Sequence, residues 1–172
     1  MKKYHVYAFL LLVSLCPFKS LAYSVNTGDV LHLEVYGEPE LAIDVTVDSL
    51  GFIEYPFVGK IKVAGREVEM IRSEVVKKLK NGYFVSPQVM VFVKKYKPFF
   101  IQGEVVSPGS YAYEEGLTVR KAIALAGGLT ERASKKKIYL TRAGMNAKDE
   151  MKVTMDQEIA SGDVIQIKES FF

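Results

Sequence analysis

Alternation of apolar and polar positions predicts that most of the chain forms short β-strands separated by turns. In the first such segment, Leu31, Leu33 and Val35 fall on one side of an extended backbone, and His32 and Glu34 fall on the other. Because side chains alternate across a strand, this pattern is typical of a strand with one buried face. The same criteria predict further strands over residues 43–47, 52–55, 61–63, 88–95, 99–105, 110–113, 138–141, 151–153 and 164–168.

Two segments have apolar residues at helical spacing instead. In residues 66–79 apolar side chains recur every three or four positions, and Gly82 follows as a stop. The second helix begins at Thr118, which is suited to cap a helix, and ends at the Gly127–Gly128 pair. One helix beside several strands in each half of the chain predicts an α+β fold built on mixed sheets.

A short charged run that ends in proline, Lys94 to Pro98, marks the expected domain boundary, because a new apolar run begins at Phe99. We therefore expect one domain over residues 23–97 and a second over residues 98–172. A basic run of this size is usually a solvated connection, and that is the interpretation taken for it here.

The first 22 residues have the three parts of a secretory signal peptide. Lys2 and Lys3 precede an apolar run of 11 residues, from Val6 to Cys16. Small residues then precede an expected cleavage between Ala22 and Tyr23. The apolar run is shorter than the roughly 20 residues needed to span a bilayer. Residues 1–22 are therefore predicted to be removed in a secreted, periplasmic protein.

Removing this leader changes the interpretation of cysteine and charge. Cys16 is the sole cysteine and leaves with the leader, because Leu15 before it does not suit lipid modification. Loss of Lys2, Lys3 and Lys19 leaves 20 basic and 20 acidic residues, a net charge of zero. No case for nucleic-acid binding follows. No cofactor, metal site or catalytic residue is expected, since no catalytic or metal-binding motif is present.

Two turns share one design, Gly28-Asp29-Val30 and Gly162-Asp163-Val164, and each precedes an alternating strand. Either aspartate could be a ligand or catalytic acid, but we favour a turn in which the carboxylate accepts backbone N–H groups. Turn-forming residues of this kind make up the predicted structural set: Gly28, Asp29, Gly51, Pro56, Gly59, Gly65, Pro87, Gly103, Pro108, Gly109, Gly127, Gly128, Gly162 and Asp163.

These motifs together resemble a known family in their order and spacing. Residues 23–93 resemble the polysaccharide export domain through Thr27-Gly28-Asp29-Val30-Leu31 and Pro56-Phe57-Val58-Gly59. Residues 99–167 resemble a soluble-ligand-binding β-grasp (SLBB) domain through Pro108-Gly109-Ser110-Tyr111 and Gly162-Asp163-Val164-Ile165. In that order the two resemble an outer-membrane polysaccharide export protein.

The resemblance implies a homo-oligomeric ring that encloses a channel for capsule or exopolysaccharide. The resemblance also implies that the ring docks on an inner-membrane polysaccharide co-polymerase. It implies no catalytic residues, because the family has none. The sequence departs from larger relatives because it has one SLBB domain and ends at Phe172 soon after the last strand. We therefore expect a short periplasmic form that passes polymer to a separate outer-membrane β-barrel.

The remaining candidates leave alternatives open. Arg132, Lys135, Lys136, Lys137 and Arg142 form a basic cluster that could contact an acidic polysaccharide or a partner protein, although a solvated strand and loop is the simpler interpretation. The main rival function is a monomeric periplasmic sugar-binding module. A glycosidase that uses two carboxylates is a weaker third candidate, because nothing marks one carboxylate pair.

Overall fold

A computed structural model describes residues 23–170, so the predicted leader, including Cys16 and Ala22, lies outside the described residues. The α+β prediction is confirmed, with short helices set among mixed sheets. In the first domain the elements are β1 (Val30–Val35), β2 (Glu38–Thr46), β3 (Phe52–Tyr55), β4 (Gly59–Lys62), α1 (Val68–Leu79) and β5 (Val89–Lys95).

The first domain has a three-stranded sheet in the order β2-β1-β5, together with a β3–β4 hairpin. Both neighbours of β1 are antiparallel to it. The face of β1 that carries Leu31 and Leu33 is fully buried, as is the apolar face of α1. Ile53 and Ile61 of the hairpin join the same core. The opposite face of the sheet carries His32 and Glu34 and stays partly open to solvent.

The second domain is a five-stranded mixed sheet with one helix. Its elements are β6 (Phe99–Gly103), β7 (Gly109–Tyr111), α2 (Val119–Leu125), β8 (Ala133–Thr141), a 3-10 turn (Ala147–Asp149), β9 (Met151–Lys152) and β10 (Val164–Glu169). The sheet order is β7-β6-β10-β8-β9, with β10 parallel to β6 and antiparallel to β8. The last strand of the chain is therefore the middle strand of the sheet.

Several boundaries differ from the sequence prediction, and β2 begins at Glu38, five residues before the predicted start at Ile43. The starts of β8 and α1 differ as well. β8 begins at Ala133, five residues before the predicted start at Ile138. Three consecutive lysines occupy this first half of the strand, so no alternation of apolar and polar residues could mark it. The helix α1 begins at Val68 rather than at Arg66, whose guanidinium instead donates to the Glu74 carboxylate at 2.5 Å.

Candidate functional site at the domain junction and on the outer sheet face

The turn before β1 places a carboxylate at the junction of the two domains. Asp29 is fully buried, and its Oδ2 accepts the backbone N–H of Asn26 at 2.8 Å. Its Oδ1 accepts the backbone N–H of Lys97, in the connection between the domains, also at 2.8 Å. Gly28 has φ +89°, a conformation that allows the chain to turn back on itself here. Asp29 therefore ties the first domain to the connecting segment.

Two hydroxyl groups complete the environment of this carboxylate. The Tyr23 hydroxyl donates to Asp29 Oδ2 at 2.5 Å and lies 2.8 Å from Ser161 Oγ. Ser161, from the second domain, donates to Asp29 Oδ1 at 3.3 Å and is itself fully buried. Burial, followed by the bond to Asp29, raises the pKa of Tyr23 well above its ordinary value. One carboxylate thus bonds to groups from both domains.

The corresponding turn of the second domain has the same design. Asp163 is fully buried, and its Oδ2 accepts the backbone N–H of Ala160 at 2.8 Å, three residues earlier, as Asp29 does from Asn26. Asp163 also accepts the guanidinium of Arg142 at 2.7 Å and the backbone N–H of Ala143 at 3.2 Å. The carboxylates of both turns are therefore bound to donors within the protein.

The connecting segment is packed between these two turns. A Cβ built on Gly28 would lie 3.3 Å from Lys97 Cδ, and one built on Gly162 would lie 3.0 Å from the same atom. The alkyl chain of Lys97 therefore lies against both glycine turns. The interpretation of this segment as a solvated connection is wrong for Lys97, which is half-buried and hydrogen-bonded through its backbone.

Three tyrosines fill the rest of the junction. The Tyr23 ring meets the Tyr96 ring edge-on at 4.9 Å, and Tyr96 meets Tyr113 at 5.4 Å. The Tyr96 hydroxyl donates to Glu115. Burial is the first cause that raises the pKa of both Tyr96 and Tyr113. Aromatic packing and a satisfied buried carboxylate together hold the two domains in one orientation.

The outer face of the β2-β1-β5 sheet is the second candidate surface. His32 Nδ1 lies 2.7 Å from Asp44 Oδ1, and Lys94 donates to Asp44 Oδ2 at 2.5 Å. These contacts, that of Lys94 first, hold the pKa of the Asp44 carboxyl below its usual range. The Phe92 ring lies 4.9 Å from the His32 ring and is 42% exposed, while Met90 beside it is 54% exposed. This amphipathic face is suited to contact another macromolecule.

The structure separates the basic cluster proposed from sequence. Arg132 pairs with Glu169 at one end of β8, whereas Arg142 binds Asp163 at the other. Ten residues of extended chain place these two arginines roughly 30 Å apart. Lys137 donates to the Glu169 carbonyl at 3.3 Å, and Lys135 and Lys136 are exposed between the two ends. Contact between these residues and glycan or a partner stays a prediction.

The other turn residues take varied roles. Gly109 is part of β7 and lacks a positive φ, and Pro56 lies in the turn between β3 and β4. Pro87 precedes β5 and Pro108 precedes β7. A positive φ is found at the remaining glycines of the predicted set: Gly28, Gly51, Gly59, Gly65, Gly103, Gly127, Gly128 and Gly162.

Sequence reasoning missed the most connected part of the junction. Ser161 had no pattern to mark it. Lys97 was noted only as part of the charged run at the expected domain boundary, and Tyr23 only as the residue after the expected cleavage point. Within residues 23–170, no three acidic, histidine or cysteine side chains come together as a metal site. None of the helices in this range is long and apolar enough to cross a bilayer.

Comparison with known proteins gives two family matches. The polysaccharide biosynthesis/export protein family matches residues 19–94, and the SLBB domain matches residues 98–154. The chain therefore contains a polysaccharide biosynthesis/export domain followed by an SLBB domain. The export domain contains the outer sheet face. Ser161 at the junction follows the residues that match the SLBB domain. The SLBB match ends before β10, although that strand lies in the middle of the sheet.

Curated relatives agree with this assignment. The exopolysaccharide production protein ExoF of Rhizobium meliloti (strain 1021) is 36% identical over 88 residues, which cover 50% of this chain and 21% of ExoF. The EPS I polysaccharide export outer membrane protein EpsA of Ralstonia nicotianae is 27% identical over 185 residues, which cover 88% of this chain and 48% of EpsA. EpsA of Ralstonia solanacearum gives 27% identity, with 87% and 48% covered. The chain spans about half the length of the EpsA proteins.

Proposed function

We propose that this protein is a non-catalytic periplasmic component of an exopolysaccharide or capsule export machinery, and that it forms or extends a ring-shaped conduit. The family matches and the two kinds of relative support a role in polysaccharide export. The observation that carries the ring is the junction at Asp29, where the export domain and the SLBB domain are bonded to each other through buried groups.

A fixed junction matters because a closed ring repeats one subunit shape. If the two domains turned freely, the ring that one domain forms would not align with the ring of the other. Heterologous contacts close into a ring only when each subunit presents the same angle to its neighbour. The Asp29 carboxylate and the three tyrosines hold that angle constant.

The outer sheet face supplies a surface for the neighbouring subunit. Phe92 and Met90 expose apolar area beside the charged group formed by His32, Asp44 and Lys94. An apolar centre with a polar surround is the usual composition of a protein interface. Transport through the ring is passive in this proposal. A channel lined by hydrated polar groups allows a hydrated polymer to slide without tight binding.

The partners and location follow from the same proposal. The signal peptide directs the protein to the periplasm and is removed by cleavage between Ala22 and Tyr23. The ring associates with the outer membrane. The ligand is the exported polysaccharide. An inner-membrane co-polymerase delivers the polymer, and a separate outer-membrane β-barrel receives it. The names of the EpsA proteins, which are outer-membrane export proteins, support this location.

The mass of the assembly that the mature protein forms tests whether it closes into a ring. Native mass spectrometry after mild crosslinking is expected to show a closed oligomer, and Phe92→Ser is expected to weaken assembly by about tenfold, because an aromatic ring contributes about 1.4 kcal/mol or more when it is buried. Met145→Ser removes a side chain with similar exposure from the second domain and serves as the matched control. A deletion strain complemented with Phe92→Ser should export less surface polysaccharide than one complemented with Met145→Ser.

A monomeric sugar-binding module remains the rival. The exposed Lys135 and Lys136 on β8 are the surface that favours it. A mature protein that stays monomeric at high concentration, and binds acidic oligosaccharide in a manner lost with Lys135→Gln and Lys136→Gln, would replace the ring proposal with this one.

A further inference from the structure

The end of the export domain farthest from the SLBB domain carries a cluster of exposed apolar side chains. Two segments form this distal tip: residues 56–60, from the turn after β3 into the start of β4, and residues 77–87, from the last turn of α1 to the approach to β5. The Phe57 and Tyr83 rings lie 5.1 Å apart, and Lys78 donates to the Lys60 carbonyl at 3.4 Å, so the segments are adjacent. β5 leads from this tip to the junction, a distance of roughly 20 Å for its seven residues.

The apolar side chains of the distal tip protrude into solvent. Val85 is 98% exposed, Phe57 58% and Tyr83 54%. They stand on loops and protrude, so a rigid partner would need matching holes to receive them. A bilayer interface accommodates such side chains without a preformed site, and aromatic residues are enriched there.

Phe57 occupies a backbone position that does not suit it. The Val58 N–H bonds to the Tyr55 carbonyl at 3.2 Å, which closes a turn with Pro56 second and Phe57 third. Phe57 has φ +61° at this third position, where glycine or asparagine is usual. It is the one non-glycine residue with positive φ among residues 23–170. An exposed aromatic ring kept in a strained turn points to a role in contact rather than in folding.

The charge of the distal tip has one sign. Its two segments contain Lys60, Lys77, Lys78 and Lys80 and no aspartate or glutamate. Of the acidic residues nearby, Glu54 lies opposite Lys60 in the β3–β4 ladder, and Glu74 pairs with Arg66 as well as with Lys78. Glu38 and Glu40 are exposed after the β1–β2 turn, at the same end of the sheet but outside the two segments. The distal tip therefore presents a net positive charge around its apolar centre.

We propose that the distal tip docks on an anionic bilayer surface, with Phe57, Tyr83 and Val85 in the interfacial zone and the lysines over the lipid phosphates. Apolar insertion combined with basic residues is the pairing that gives stable peripheral membrane binding. A soluble acidic polymer would engage the lysines but would gain nothing from Val85. This inference goes beyond the proposed function and does not depend on ring formation.

Sedimentation with lipid vesicles tests the proposal. The mature protein, residues 23–172, is mixed with phosphatidylcholine vesicles that contain or lack phosphatidylglycerol. It should bind the anionic vesicles, and Phe57→Asn should weaken that binding about tenfold, since insertion of a ring contributes about a tenfold factor or more. Lys80→Gln should weaken it about fivefold and reduce its dependence on salt. Asparagine tolerates positive φ, so Phe57→Asn should keep or raise the melting temperature.

Met145→Ser is the control, because it removes a side chain that is 55% exposed in the other domain. It should leave vesicle binding unchanged. The proposal is overturned if wild-type protein stays in the supernatant with anionic vesicles, or if Phe57→Asn and Met145→Ser bind equally well. It is also overturned if soluble alginate, an acidic polysaccharide, binds the protein more tightly than the vesicles and in a manner insensitive to Phe57→Asn.

Discussion

At the scale of single residues, two aspartates of the same local design differ in what they connect. Asp29 and Asp163 each accept a backbone N–H from three residues earlier in the chain. Asp163 completes its shell with Arg142 and Ala143 from its own domain. Asp29 completes its shell with Lys97 in the connecting segment and with Ser161 in the second domain. The Gly-Asp-Val motif is the same in both turns. The neighbours that folding brings to Asp29 give that aspartate a different role.

Replacement of Asp29 should therefore separate the two domains. Asp29→Asn places an NH₂ group against N–H donors in a buried site, so it should lower the free energy of unfolding by roughly 2–4 kcal/mol. We expect thermal unfolding to change from one transition to two, and the connecting segment at residues 95–98 to become sensitive to protease.

Asp163→Asn is the matched comparison for this variant. It breaks a buried charge pair with Arg142 and should destabilise the SLBB domain. It should not open the connecting segment to protease, because Asp163 makes no bond to the export domain among those described. Equal proteolysis of the two variants would show that the junction does not depend on Asp29.

At the scale of elements, the SLBB domain depends on a close approach between the parallel strands β6 and β10. Gly103 ends β6 with φ +89°, and a Cβ built there would lie 1.9 Å from the Ile167 carbonyl oxygen. The clash is with backbone, which no side-chain rotation can relieve. The glycine is therefore required by the pairing of these strands as well as by its own dihedral angle.

Gly103→Ala should cost about 3 kcal/mol or more of folding free energy, because strain at positive φ adds to the backbone clash. Gly116→Ala is its control, since Gly116 has φ +74° but nothing within 4 Å of the added Cβ. This second substitution should cost about 1 kcal/mol. Urea unfolding of both variants measures the difference between their free energies of unfolding. Equal urea midpoints would show that the backbone clash at Gly103 adds no cost.

The helix α1 offers a similar contrast between buried and exposed positions. Ile71 is fully buried beneath the sheet, whereas the adjacent Met70 is 53% exposed. Ile71→Ala should lower the free energy of unfolding by about 2–5 kcal/mol through lost burial and the cavity left behind. Met70→Ala should change it by no more than about 0.5 kcal/mol. Chemical denaturation followed by circular dichroism distinguishes these outcomes.

At the scale of the whole molecule, buried tyrosines at the junction and in the core of the first domain make folding sensitive to alkaline pH. Burial and the bond to Asp29 raise the pKa of Tyr23, and burial raises the pKa of Tyr55 to about 12. In the unfolded chain a tyrosine ionises near pH 10. Below that pH both states are protonated and the stabilisation is complete. As the pH rises further, ionisation favours the unfolded chain.

We therefore expect the urea midpoint to fall between pH 10 and about 12. Tyr23→Phe removes one of the tyrosines with a raised pKa, so the urea midpoint should fall less steeply with pH in this variant. Its urea midpoint at neutral pH should be lower than that of the wild type. Absorbance at the phenolate band, recorded alongside, should show some tyrosines ionising only as the protein unfolds. A Tyr23→Phe variant with the wild-type decline would show that Tyr23 ionises freely in the folded state.

The sequence by itself determined the order of elements and indicated an export domain followed by an SLBB domain. Alternation placed β1 and β5, the three-and-four spacing placed α1, and Thr118 with Gly127 bounded α2, because these signals arise from neighbours along the chain. They failed in the first half of β8, where consecutive lysines mask alternation, and the strand instead pairs with β10 from the end of the chain.

Only the tertiary structure decided how the domains join and which surfaces stay open. Ser161 lies 132 residues from Asp29 in sequence, and Phe57 and Tyr83 become neighbours only when the hairpin packs beside the end of α1. The basic cluster on β8 appeared as one patch in sequence and became two ends of a strand in space. Such contacts depend on which side chains folding brings together, and local patterns carry no record of that.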